Sequence, residues 1–248
     1  MFSSLNLKTS VIKNIVFDFA GVIVTCQYDD FVKKAFPDLH NPGNIKKLSD
    51  LIFKSDIWTN YDKGLNYNDL KIQLCDLINS QITFVECNQE DIDNIINAIK
   101  ELMLPMEETV VLIKELKKSG MRIYGLTNMP KEIFDHLITT YEFFTYFSGM
   151  TSSSYTGLAK PDKPIYERLL KDNNIIANET VFLDDRLVNL LKAKEIGIET
   201  ILFENIQNVR SELNKKLNNT QKNFLELDED EPSSLNCITS STTKKSMI

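Results

Sequence analysis

Histidine and cysteine are scarce in this sequence and poorly spaced for metal or thiol chemistry. The two histidines, His40 and His136, stand far apart, and none of the four cysteines lies in a C-x-x-C pair. We therefore expect neither a zinc site nor a cysteine–histidine nucleophile pair. The thiols are predicted to be structural and reduced, as is typical of a cytoplasmic protein.

The sequence also lacks long apolar runs and an excess of positive charge. No run approaches the roughly 20 apolar residues that span a bilayer, and the first ten residues lack the apolar region of a secretory signal. A formal charge of −7 argues against a general nucleic-acid-binding surface. We expect a cytoplasmic globular protein whose partners are neither membrane nor nucleic acid. Its 248 residues allow one large domain, or a core domain with an insert.

The stretch NIVFDFAGVIVT, residues 14–25, contains a charge where a buried strand should end. Ile15, Val16 and Phe17 form a short apolar run that is typical of a fully buried strand, and Asp18 follows it directly. A carboxylate there is costly unless it has a partner. In open α/β sheets, ligands bind beyond the carboxyl ends of the strands, and Gly21 would let the backbone approach such a ligand.

The remaining pattern predicts an α/β fold, with a Rossmann-like parallel sheet that carries helices on both faces. Residues 10–25 and 104–206 would form this core, because strand-like and helix-like segments alternate there after Pro105. Residues 26–103 are predicted to be an all-helical insert with helices at 29–36, 44–54, 67–79 and 89–103. Residues 207–248 would add one amphipathic helix and, from 220 onward, a disordered tail with little to bury.

Polar groups follow three of the predicted strands. Asp18 follows IVF, Thr127 and Asn128 follow IYGL, and a pair of aspartates, Asp184 and Asp185, follows VFL. Strand ends of one parallel sheet share an edge, so these groups can meet, and a loop residue, Lys160, can join them. Carboxylate oxygens are ligands that Mg²⁺ prefers. A hydroxyl, an amide and an ammonium group beside them would bind a phosphate.

These segments resemble the four motifs of the haloacid dehalogenase (HAD) superfamily, in the branch with a helical cap after the first motif. FDFAGVIV resembles motif I, LTN motif II, GLAKPDKPIY motif III and VFLDDRLVNLLKAKEIGI motif IV, in the family's order. The resemblance covers residues 12 to 204 and implies a Mg²⁺-dependent phosphatase of a small phosphorylated metabolite. Within the family it most resembles sugar-1-phosphate phosphatases, which implies a sugar phosphate as a candidate substrate.

The resemblance also implies roles for individual residues. Asp18 would be the nucleophile that forms a phospho-aspartyl intermediate, and it would also bind the metal together with Asp184 and the backbone carbonyl of Ala20. Lys160 would neutralise charge between Asp18 and the phosphate. Gly21, Thr127 and Asn128 would bind the phosphate. Asp185 would orient Lys160 or a metal-bound water, and Asn189 would hold the metal ligands in position.

One position departs from the family pattern. Most phosphatases of the family carry a second aspartate two residues after the nucleophile, as general acid and base, and this chain has Ala20 there. Losing such a group typically costs about 10² to 10⁴ in rate. The sequence therefore predicts slow turnover and leaves two alternatives open: a catalytically silent binding protein and, with less support, a metal-free haloacid dehalogenase. A Ser/Thr-rich tail behind an acidic run also leaves open a protein partner or an exported effector.

Overall fold

A five-stranded parallel sheet forms the centre of the molecule. The computed structural model describes residues 11–218, and its strands pair in the order β3-β2-β1-β4-β5. The predicted α/β class is confirmed. The strands are β1 (Asn14–Phe17), β2 (Arg122–Thr127), β3 (Phe147–Ser152), β4 (Thr180–Asp184) and β5 (Glu199–Leu202).

Strand β1 lies in the middle because both of its faces are apolar. Ile15 and Phe17 belong to the larger apolar cluster on one face, while Val16 packs with Phe182 and Tyr166 on the other, and all are buried. This alternation follows from the two-residue period of a strand. Six helices flank the sheet: α6 (Glu107–Lys118), α7 (Lys131–Thr140), α8 (Ser153–Thr156), α9 (Lys163–Asp172), α10 (Leu187–Glu195) and α11 (Ile206–Asn218).

Between β1 and α6, residues 18–106 form helices and turns but no strand. They are α1 (Tyr28–Ala35), α2 (Pro42–Phe53), α3 (Asp56–Asp62), α4 (Tyr67–Gln81) and α5 (Gln89–Leu102). We call residues 28–102 the helical insert. The aromatic residues Trp58 and Tyr61 of α3 are buried and pack edge to face, and the Tyr67 ring stacks on Tyr61. These rings therefore act mainly as packing groups.

Most element predictions match the structure to within a few residues. Of the strands and α-helices within residues 11–218, three were missed: β3, α3 and the four-residue helix α8. The segment FSGMTS was interpreted as part of a polar, turn-rich passage but forms the edge strand β3. Helix α3 was not predicted because its seven residues are too few to establish a helical period. The predicted disordered tail at 220–248 lies outside the described residues. Within residues 11–218, no helix is both long and apolar enough to cross a bilayer.

Candidate active site

Asp18 stands at the carboxyl end of β1, inside a tight turn. Its backbone N–H donates to Leu183 O at 2.9 Å, which continues the sheet pairing, and its carboxylate accepts from the backbone N–H of Phe19 at 2.7 Å. Gly21 closes the turn with a φ of +78°, and a Cβ there would lie 2.8 Å from Asp185 Oδ2. Glycine is therefore required both by the left-handed backbone and by the neighbouring carboxylate.

Lys160 is a buried ammonium group between two carboxylates. Its Nζ lies 2.8 Å from Asp18 Oδ1 and 2.8 Å from Asp184 Oδ2, and it donates to Leu126 O at 3.0 Å. Asn128 holds the loop in place, since its Oδ1 accepts from Lys160 N–H and its Nδ2 donates to Lys160 O, both at 2.8 Å. All three ammonium donors thus have partners, which a charge buried this deeply needs.

Asp184 is fully buried and saturated with donors. One carboxylate oxygen accepts from the Arg186 backbone N–H at 2.8 Å, the other from Lys160, and the Asn189 amide lies 2.9 and 3.0 Å from the two. Asp185 is exposed and forms no ion pair within the described part of the chain. The contact with Lys160 that was expected of Asp185 is therefore made by Asp184.

Thr127 ends β2 with an unused hydroxyl group. The residue is completely buried, and Thr127 Oγ1 has no hydrogen-bond partner among the described residues. A buried hydroxyl without a partner costs about 1–3 kcal/mol. Asn14, Thr109 and Asn189 also hold unpartnered atoms, but Thr127 ends its strand beside the Asp18 turn and so is available to a ligand there.

The charges at this edge are unbalanced. Oxygens of Asp18, Asp184 and Asp185 lie within 4.8 Å of one another, so with all three ionised the carboxylates and the Lys160 ammonium carry a net charge of −2. Burial raises the pKa of Asp18 to about 7, with help from the two neighbouring carboxylates and against Lys160. Burial and Asp184 also raise the pKa of Asp185. A divalent cation would offset this charge, so the donor set fits Mg²⁺.

The helical insert brings one more carboxylate to this region, which the sequence interpretation missed. Asp62 ends α3, and Ser153 Oγ donates to its backbone carbonyl. Burial raises the pKa of Asp62 to about 7, although the positive charges of Arg186 and Lys160 lower it. No sequence pattern near Asp62 identifies it as a site residue; the nearest signal is Gly64, a residue that ends helices.

Comparisons with known proteins identify a family and relatives for the chain. A family model described as haloacid dehalogenase-like hydrolase matches residues 12–197. The chain is 31% identical over 216 residues to D-ribitol-5-phosphate phosphatase from Bacteroides thetaiotaomicron, covering 84% of this chain and 100% of that protein. It is 27% identical over 186 residues to sesquiterpene phosphatase astK from Aspergillus oryzae, covering 75% of this chain and 87% of that protein.

A solved structure shares the fold. A HAD family enzyme from Bacteroides thetaiotaomicron, in complex with magnesium and inorganic phosphate, superposes with a TM-score of 0.60. The match covers 77% of this chain and 93% of that one at 22% sequence identity. The likeness concerns the fold.

Proposed function

The chain belongs to the haloacid dehalogenase-like hydrolase family, and we propose that it is a Mg²⁺-dependent phosphatase that hydrolyses small phosphate monoesters at Asp18. The observation that carries the proposal is the buried triad of Asp18, Lys160 and Asp184 beside the unpartnered hydroxyl of Thr127. Anionic groups and donors are placed together there, as phosphate and a cation require. Relatives named as phosphatases of ribitol 5-phosphate and of sesquiterpenes support the same reaction class.

Asp18 is the proposed nucleophile. Its carboxylate forms a bond to phosphorus while the bond to the leaving oxygen breaks, which gives a phospho-aspartyl enzyme that water then hydrolyses. Lys160 offsets the negative charge of the phosphoryl group, and Thr127 Oγ supplies a hydrogen bond. Gly21 keeps the backbone open to the phosphoryl oxygens. Asn128 fixes the loop that carries Lys160.

The proposed metal ligands follow from which oxygens remain available. Asp18, the carbonyl of Ala20 and one aspartate after β4 would hold Mg²⁺, whose chemistry is to neutralise charge on the phosphoryl oxygens. The sequence favoured Asp184 for this role. Because Asp184 already accepts from three neighbouring residues, we propose the exposed Asp185 as the ligand, with Asp184 and Asn189 orienting Lys160.

A silent binding protein is the second candidate, and Ala20 favours it. The residue carries no group that can move a proton, so binding without turnover is a coherent outcome of the same site. A haloacid dehalogenase is less supported, because the carboxylate cluster favours a metal ion and the unpartnered Thr127 hydroxyl favours a phosphate.

Phosphate release from a metabolite panel tests the proposal. The panel contains D-ribitol 5-phosphate, a sugar 1-phosphate, an isoprenyl phosphate and p-nitrophenyl phosphate, each with Mg²⁺ or with EDTA. We expect Mg²⁺-dependent release that Asp18→Asn abolishes and that Asp38→Asn, an exposed control, leaves intact. Activity that survives EDTA or Asp18→Asn would overturn the proposal. Halide release from a 2-haloacid without metal would favour the dehalogenase.

A further inference from the structure

A phosphatase that uses Asp18 as its nucleophile must also transfer protons, and Ala20 has no group that can do so. An alkoxide leaving group needs a proton as it departs, and the attacking water must lose one in the second step. The other titratable groups at the strand ends already interact with one another. Lys160 and Asp184 bind each other, while Asp185 faces Asp18 in the carboxylate cluster.

The helical insert docks onto the same sheet edge through the corner that contains Asp62. Ser153 Oγ, just after β3, donates to Asp62 O, and Tyr61 Oη donates to Glu132 Oε2 at 2.7 Å. Gly64 passes so close to the core that a Cβ there would lie 2.9 Å from Ser154 O. These contacts fix the end of α3 against α8, which follows β3, and against the start of α7, which follows β2.

The Asp62 carboxylate itself has no fixed partner. Within residues 11–218 it forms no hydrogen bond or ion pair, although its backbone is held on the core. Its charge is felt by groups on both sides of the interface: Lys160, Arg186, Cys26, Tyr28 and Tyr61. The charges of Asp18 and Asp185 also raise the pKa of Cys26, so the Cys26 thiol lies within electrostatic range of both Asp62 and the carboxylate cluster. Asp62 therefore interacts electrostatically with Lys160, whose Nζ lies 2.8 Å from Oδ1 of the proposed nucleophile Asp18.

We propose that Asp62 is the general acid and base of this enzyme, so that the insert supplies the carboxylate that position 20 lacks. The inference rests on the proposed phosphatase function. A carboxyl whose pKa lies near 7 is suited to exchange protons near neutral pH, which the burial of Asp62 provides.

The proton balance closes over the two steps. As Asp18 Oδ bonds to phosphorus and the bond to the alkyl oxygen breaks, the Asp62 proton passes to that oxygen and an alcohol leaves. A water oxygen then bonds to phosphorus, the bond from phosphorus to Asp18 Oδ breaks, and the proton that the water releases returns to Asp62. The enzyme regains its first state, and inorganic phosphate is the second product.

Leaving-group dependence tests the role, with Asp62→Asn as the variant. For an alkyl phosphate we expect the single-turnover rate to fall about 10²- to 10³-fold. For p-nitrophenyl phosphate, whose leaving group needs no proton, the first step should fall less than tenfold. A burst of one p-nitrophenol per enzyme should appear, followed by slow steady turnover. Asp56→Asn, on the exposed start of α3, is the matched control and should resemble the unchanged protein.

A second variant separates chemistry from folding. Adding Ala20→Asp to the Asp62→Asn variant should raise its rate with an alkyl phosphate at least tenfold, because a carboxylate is again available to the leaving oxygen. Equal losses for both substrates, or no loss for either, would overturn the role of Asp62 while leaving the phosphatase intact. If Asp18→Asn retains full activity in the same assay, the proposed function fails instead.

Discussion

Lys160 is the residue whose surroundings explain most of the candidate site. A lone ammonium at 4% exposure would be strongly unfavourable, and so would the two carboxylates beside it. Together they form a hydrogen-bonded array with Lys160 between Asp18 and Asp184. Such buried ion pairs add little net stability when intact, but removing one partner leaves the others uncompensated. The site is therefore sensitive to single substitutions.

Replacing Lys160 with methionine should destabilise the protein by about 3 to 5 kcal/mol, because two buried carboxylates lose their counter-charge. Urea unfolding of the metal-free protein at pH 8 measures this. Lys163→Met is the control, since Lys163 is exposed and pairs with Glu167 at 3.0 Å along α9. Such surface pairs contribute roughly 0.3 to 0.5 kcal/mol. Equal losses in the two variants would show that Lys160 is not buried as described.

Asp62→Asn should stabilise the protein at pH 8. Because burial raises the pKa of Asp62 from 3.8 to about 7, its ionisation costs stability as pH rises from about 4 to 7, and the cost is constant above that. At 1.36 kcal/mol per pKa unit the limit is roughly 4 kcal/mol, and its partial exposure lowers the expectation to about 1 to 3 kcal/mol. In thermal unfolding, the melting temperature of Asp62→Asn should exceed that of the unchanged protein at pH 8, and the difference should disappear near pH 4. A gain independent of pH would contradict this.

The residues that could be predicted from the sequence are those that parallel strands bring together. Asp18, Thr127 and Asp184 each end a strand of one sheet, so the topology alone implies their proximity. Asp62 could not be predicted, because it reaches the site only through the docking of α3 on the core. The sequence also could not show that Asp184 is buried and hydrogen-bonded while Asp185 is exposed, because two adjacent aspartates carry no signal that distinguishes them.

Among the helices and strands, sequence periodicity was enough to predict the elements that are long or buried. Helices α4 and α5 carry enough apolar residues for a helical period, and their observed bounds lie close to the prediction. Edge strand β3 pairs with β2 alone, so only its last residues are well buried and its sequence carries no apolar run. Helix α3 is short and rich in aromatic and polar residues. The conformations of β3 and α3 are therefore decided by neighbouring elements.

Gly64 offers a test of how the helical insert is held. Gly64→Ala should cost roughly 1 to 3 kcal/mol from its φ of +100°, and its Cβ would also push against Ser154 O. The shift of α3 should lower alkyl phosphate turnover about 10- to 100-fold. Gly120→Ala has a similar φ of +88° with nothing within 4 Å of the Cβ, so it should lose stability without losing turnover. Comparable turnover in both variants would show that the corner does not position Asp62.

For the whole molecule, the division of labour between sheet and insert is the main consequence of the fold. The sheet edge holds the cluster that would bind phosphate and metal, while the helical insert docks at Ser153, just after β3, through the backbone of Asp62. A ligand bound to the cluster would therefore bind only the folded chain, since the three carboxylates come together only in the folded sheet. Binding of this kind must raise the stability of the folded state by mass action.

Mg²⁺ should accordingly raise the melting temperature. At a concentration 100 times its dissociation constant, the ion contributes about 2.7 kcal/mol, which corresponds to roughly 5 to 10 °C for a chain of this size. Above the dissociation constant the shift should grow with the logarithm of the Mg²⁺ concentration, as binding at one specific site requires. General screening would depend on ionic strength alone. Asp185→Asn should remove most of it, whereas Asp76→Asn, exposed on α4, should keep it. An equal shift with NaCl at matched ionic strength, or one retained in Asp185→Asn, would refute a Mg²⁺ site that uses Asp185.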